Sequence, residues 1–149
     1  MVSYSKDKVE ERANQIAANR RENEAKLRKS SPLYARMMEN TAEVFGEKGR
    51  DGGLDQVHRI LVALGTAVQA GSESSIDWTI TRAINHGANE AMILDAIDVA
   101  LLNGGNFAVA NARFAYEVLR YRFKAGAGSS EQEFGTISTP GQLRTGTEG

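Results

Sequence analysis

The 149-residue sequence contains no cysteine. Disulfides, thiolate metal sites and thiol-based redox cycles are therefore excluded. Histidine occurs twice, as His58 and His86, too few for a multi-histidine metal site in one chain. No metal or cofactor is expected. Neither sign of charge dominates: 18 Lys and Arg face 19 Asp and Glu, for a net charge of −1. That balance argues against a nucleic-acid partner. No run approaches the roughly 20 apolar residues of a membrane span. The opening MVSYSKDKVEER has no apolar stretch after its first charges, so no signal peptide and no membrane partner are expected. The expectation is a cytoplasmic protein with one compact domain.

Proline is also scarce, and Pro32 and Pro140 both read as boundaries. Residues 5–29 lack Gly and Pro and carry a thin apolar stripe of Val9, Ala13, Ile16, Ala17 and Leu27, predicting a helix. Ser31-Pro32 reads as the N-cap and first position of a second helix ending at Phe45. The GEKGRDGG stretch follows. A third helix from about Leu54 ends at Gly71, with Leu54, Val57, Leu61, Leu64 and Val68 inward. A fourth covers about Ser74 to His86, with Gly87 as its stop. Asn89 caps a fifth, and Asn103-Gly104-Gly105 breaks the chain. The sixth, about Asn106 to Lys124, is apolar on two sides, which predicts a helix that is central or shared with another subunit. No segment alternates with a period of two. The fold class is all-α, built of antiparallel helical hairpins. The organisation is an N-terminal helical extension over 1–50, a helical core over 51–124 and a flexible Gly-rich tail over 125–149.

Chemistry concentrates on the fourth helix. At 100° per residue, Ser75, Thr79, Arg82 and His86 share one stripe beside the apolar face. Arg82 supplies a bidentate fork for a carboxylate, and Ser75 and Thr79 supply short donors. His86 is the candidate proton carrier near neutral pH. His58 and Arg59 start the third helix, off its apolar face, as a second imidazole and guanidinium. Glu73 and Asp77 read as ordinary partners of a helix N-terminus. Trp78, the single tryptophan, reads as packing.

The stretch from Leu54 to Leu119 resembles the carboxymuconolactone decarboxylase family, which includes the alkylhydroperoxidase D-like proteins. The resemblance rests on GGLDQVHRILVALGTAVQAG, SESSIDWTITRAINHGANEAMILDAIDVALLNGG and NFAVANARFAYEVL. It implies an all-helical fold of about six helices that assembles into homotrimers or homohexamers. The peroxidase branch uses a Glu, a Cys-x-x-Cys pair and a His. Those positions hold Ile60, Ser72, Ser75 and Thr79, so a thiol peroxidase is excluded. The decarboxylase branch places a Glu and a His where this chain has Ser75 and Thr79. The Arg alone matches, as Arg59.

Two readings stay open at this point. One is a cofactor-free lyase, decarboxylase or isomerase on a small anionic organic acid. There His86 or His58 would transfer protons, and Arg82 or Arg59, with Ser75 and Thr79, would hold the substrate. The other is a catalytically inactive family member that serves as a ligand-binding or assembly protein.

Overall fold

The computed structural model describes residues 6–125. Six α-helices follow in order: α1 (Lys6–Ser30), α2 (Pro32–Phe45), α3 (Gln56–Ala70), α4 (Glu73–Asn85), α5 (Glu90–Gly104) and α6 (Val109–Ala125). A 3₁₀ turn (Gly105–Ala108) joins the last two. The expected tail lies outside the described residues.

The helix boundaries follow from short polar side chains placed where backbone donors lack partners. Ser31 accepts from Tyr34 N–H, with Pro32 in the first helical turn. Asp55, Ser72 and Asn89 accept from the amides of His58, Ser75 and Met92. The third helix begins at Gln56 rather than Leu54, because Asp55 takes the cap. Gly71 ends it in the left-handed conformation at φ +72°. A Cβ there would also crowd Asn111, whose Nδ2 donates to Val68 O at 3.0 Å and fastens α6 to the end of α3.

Helices α3 to α6 enclose the core. Ile60, Leu64, Val68, Ile76, Ile80, Ile93, Phe114, Val118 and Leu119 are sealed from solvent within it. Of the expected inward face of α3, Leu64 and Val68 are buried and Val57 and Leu61 pack against the core, whereas Leu54 precedes the helix and is 56% exposed; Ile60 joins this face fully buried. The two-sidedness of α6 has its cause within the chain, since α6 packs against α4 and α5 on one side and α1 on the other. Val9, Ala13, Ile16 and Ala17 of α1 are buried as the apolar stripe predicts, whereas Leu27, its last member, is 44% exposed.

The segment Glu90–Lys124 is long and apolar enough, by length and composition alone, to cross a membrane. The sequence expectation missed it by seeking an unbroken apolar run, whereas this window tolerates scattered polar residues. Gly105 interrupts it at φ +56°, and α5 and α6 pack on one another and on α3.

Candidate functional site

The first two helices fold over α3 and α4 and leave a partly open cavity of about 1270 Å³. Its apolar lining comes from every wall: Ile16 and Leu27 on α1, Met38, Val44 and Phe45 on α2, Ala63 and Ala67 on α3, Trp78 on α4. Trp78 meets Phe45 edge-on, with ring centroids 5.4 Å apart. The polar lining is unevenly spread. From α1 come Arg12, Gln15, Asn19, Arg20, Asn23 and Glu24, and from the start of α4 come Ser72, Ser74, Ser75 and Thr79.

The stripe expected on α4 divides. Ser75 and Thr79 line the cavity. The Ser75 and Ser72 hydroxyls are 2.9 Å apart, and the buried Thr79 hydroxyl donates to Ser75 O at 2.7 Å. Thr79 has thus spent its one O–H donor, whereas Ser75, which accepts from Ser72, keeps its own O–H to donate. Arg82 is outside the lining, with its guanidinium 5.1 Å from the centre of the Trp78 ring. His86 forms the C-terminal cap of α4, its N–H donating to Arg82 O at 3.0 Å, and is also outside the lining.

Arg59 reaches the cavity, but its donors serve the backbone. It donates to Val44 O, to Gly46 O at 2.8 Å and to Leu54 O at 3.2 Å. It thereby clamps the loop between α2 and α3. His58 is exposed, with Nδ1 2.6 Å from Asp55 Oδ1. The Asp55 carboxyl is held below its usual value, first by the His58 backbone N–H and then by the His58 ring. The structure therefore brings Ser75, Thr79 and Arg59 to one cavity, while His58, His86 and Arg82 lie outside its lining.

The expectation for Asp77 is corrected. It is fully buried and receives Arg122 through Nε at 3.0 Å and Nη2 at 2.8 Å. Arg20 Nη1 lies 4.0 Å from its second oxygen, and Arg20 Nη2 donates to Ser74 O at 2.9 Å. Burial pushes the Arg20 guanidinium below its usual value, and Asp77 opposes that shift. Asp77 is one helical face with Ile80 and Ile84, an i, i+3, i+7 register that was the available signal. Arg20 had no such signal, because the α1 stripe predicted packing and not a cavity wall. Tyr34, also in the lining, has its phenol raised, first by burial and then by Glu24. Among the described residues, no cluster of three His, Asp or Glu side chains could hold a metal ion.

The carboxymuconolactone decarboxylase family model matches residues 32–118, more than half of the chain. That match takes in α2, which the sequence resemblance had left out. A carboxymuconolactone decarboxylase family protein from Thermotoga maritima superposes with a TM-score of 0.68 at 22% identity, covering 83% of this chain and 98% of its own. An apo family protein from Legionella pneumophila gives 0.66 at 20% identity, covering 74% and 96%. At these identities the two structures establish the fold. No curated protein matches the sequence.

Proposed function

Because the chain belongs to the carboxymuconolactone decarboxylase family, we propose that it keeps the family scaffold as a ligand-binding protein for an organic anion. One observation carries this reading: the large cavity is lined by hydroxyls, amides and three arginines against one glutamate, with both histidines outside it. Guanidinium and hydroxyl groups hold an anion well, and the apolar walls supply contact area. A lyase, decarboxylase or isomerase would need a proton carrier at the ligand. His86 caps a helix and His58 pairs with Asp55 on the surface, while in the lining Glu24 is ion-paired with Arg28 and the Tyr34 phenol is raised, so binding is the reading taken.

Trp78 reports on the cavity, as the single tryptophan of the chain. Titration with 1-anilinonaphthalene-8-sulfonate should give saturable energy transfer from Trp78, with one site per chain. Ala63→Trp combined with Ala67→Trp, which puts two indoles into the lining, should weaken binding at least tenfold, read by the dye's own emission. Equal affinity in the two proteins overturns the cavity reading.

Assembly is a second reading, favoured by one observation. Leu102 and Phe107, at the turn between α5 and α6, are 85% and 96% exposed, beside exposed Val99. We propose that a second copy covers this edge, as part of a homotrimer or homohexamer, because contiguous exposed apolar groups mark interaction surfaces. Light scattering of the wild type should exceed the monomer mass, and Phe107→Glu with Leu102→Glu should lower it. A monomeric wild type at micromolar concentration refutes this.

A further inference from the structure

A large share of the polar lining, including its amides and two of its arginines, comes from a helix outside the matched part of the chain. The family match begins at residue 32 and α1 ends at Ser30. Yet Arg12, Asn19, Arg20, Asn23, Glu24 and Leu27 all line the cavity. Their i, i+3, i+4 spacing places them on one face of α1. From Arg12 to Leu27 that face is about 22 Å long at 1.5 Å per residue.

Two stripes therefore divide α1. Val9, Ala13, Ile16 and Ala17 fasten its first half to the body. Arg12 is tied to Glu73 at 2.8 Å, and Asn14 accepts from the Tyr121 hydroxyl at 3.0 Å. Beyond Arg20 no residue of α1 is buried. Asn23, Glu24 and Leu27 face the cavity, across from Met38 and Tyr34. The wall opposite is mixed: its hydroxyls gather at Ser72, Ser74, Ser75 and Thr79 by the start of α4, and Met38, Val44, Phe45, Val62, Ala63 and Trp78 supply its apolar part. The volume exceeds the roughly 300–1,000 Å³ of pockets that enclose drug-sized molecules. A single-ring acid would leave most of it unfilled.

Building on the ligand-binding reading, we infer that α1 selects the ligand, and that the ligand is an elongated amphipathic anion. Its charged end meets the Arg12, Arg20 and Ser75 end of the cavity. Its apolar body runs along α2 toward Leu27 and Met38. Three arginines against one glutamate in the lining set the sign of the head.

The test uses the full chain and cis-parinarate, an 18-carbon polyene carboxylate that accepts energy from Trp78. Asn19→Asp with Asn23→Asp adds two negative charges on the cavity face. Ala18→Asp with Ala25→Asp adds the same charge on the opposite face, and all four positions are exposed. The first pair should weaken binding at least tenfold, and the second should stay within twofold of wild type. Circular dichroism verifies helicity in both. Among saturated carboxylates competing for wild-type protein, affinity should rise steadily from eight to eighteen carbons. Equal weakening by both pairs, weakening by neither, or a flat chain-length series overturns the inference. If wild type binds anilinonaphthalene sulfonate in its cavity but not parinarate, the inference falls and the ligand-binding reading stands. If it binds neither, both fall.

Discussion

Replacing Asp77 by Ala is the sharpest test of how α1 is held over the cavity. Asp77 is fully buried and Arg122 is 5% exposed. Two Arg122 nitrogens donate to one Asp77 oxygen, and Arg20 stands 4.0 Å from the other. Removing the carboxylate leaves buried guanidinium charge facing a void, which costs about 3–5 kcal/mol. Unfolding entropy near 2.1 cal/mol/K per residue over a chain of this length is about 0.3 kcal/mol/K, so Tm should fall by about 10–16 °C. Thermal melts followed by circular dichroism measure it. The loss has a second signature. Asp77→Leu combined with Arg122→Met removes both charges, and buried pairs exchanged for apolar groups are often close to neutral. The double variant should therefore be more stable than Asp77→Ala by about 2 kcal/mol or more, a non-additivity expected of groups in contact. A fall below about 3 °C for Asp77→Ala, or a double variant less stable than the single one, refutes the reasoning that this pair anchors the three helices.

Arg59→Ala should cost about 1.5–3 kcal/mol through lost bonds from a charged donor to loop carbonyls, read as a lower denaturation midpoint; unchanged stability would free Arg59 for a ligand-binding role. The Asp55 carboxyl should titrate below 3.8 by NMR. Its folded value is depressed, so its stabilising contribution is present above the unfolded value and is lost as pH falls through the folded one. His58→Ala should move the Asp55 midpoint upward, and an unmoved midpoint would mean that the backbone bond alone sets it. Thr81 is fully buried, and among the described residues its hydroxyl has no hydrogen-bond partner. Thr81→Val should therefore raise stability by about 1 kcal/mol, or about 2–4 °C, whereas a lower Tm would show that the hydroxyl is bonded to internal water.

The helices were legible because their signals are local. Ser31 and Asn89 are short acceptors one residue before a periodic stretch, and Gly71 and Gly87 sit just past its end, whereas the cap at Ser72 was passed over and the fourth helix placed from about Ser74. Each signal is settled within four or five residues, so tertiary context had little to override. The full width of the inward face of α3 was less legible. Ile60 and Leu61 are adjacent and equally apolar, yet Ile60 is sealed and Leu61 only partly buried against the same core.

The site was only half legible, and the reason is physical. Periodicity reports which residues avoid water, and it locates a helix face turned to the core. A cavity wall turns away from bulk water while keeping polar groups, so its sequence looks like an exposed surface. The row Arg12, Asn19, Arg20 and Asn23 reads as solvated helix until α2 is folded opposite it. Ser75 and Thr79 were found because they adjoin the apolar face of α4. Arg82 and His86 share their stripe but lie one and two turns farther along, where α4 has passed the mouth framed by α1 and α2. An angular argument fixes direction around a helix and leaves position along it open. That position is set here by where α1 crosses α4, which the ties from Arg12 to Glu73 and from Arg20 to Ser74 hold near its first turn. The amides and two of the three arginines of this cavity thus come with the docking of one helix, and changing the α1 face should alter ligand choice while the four-helix core beneath it stays intact.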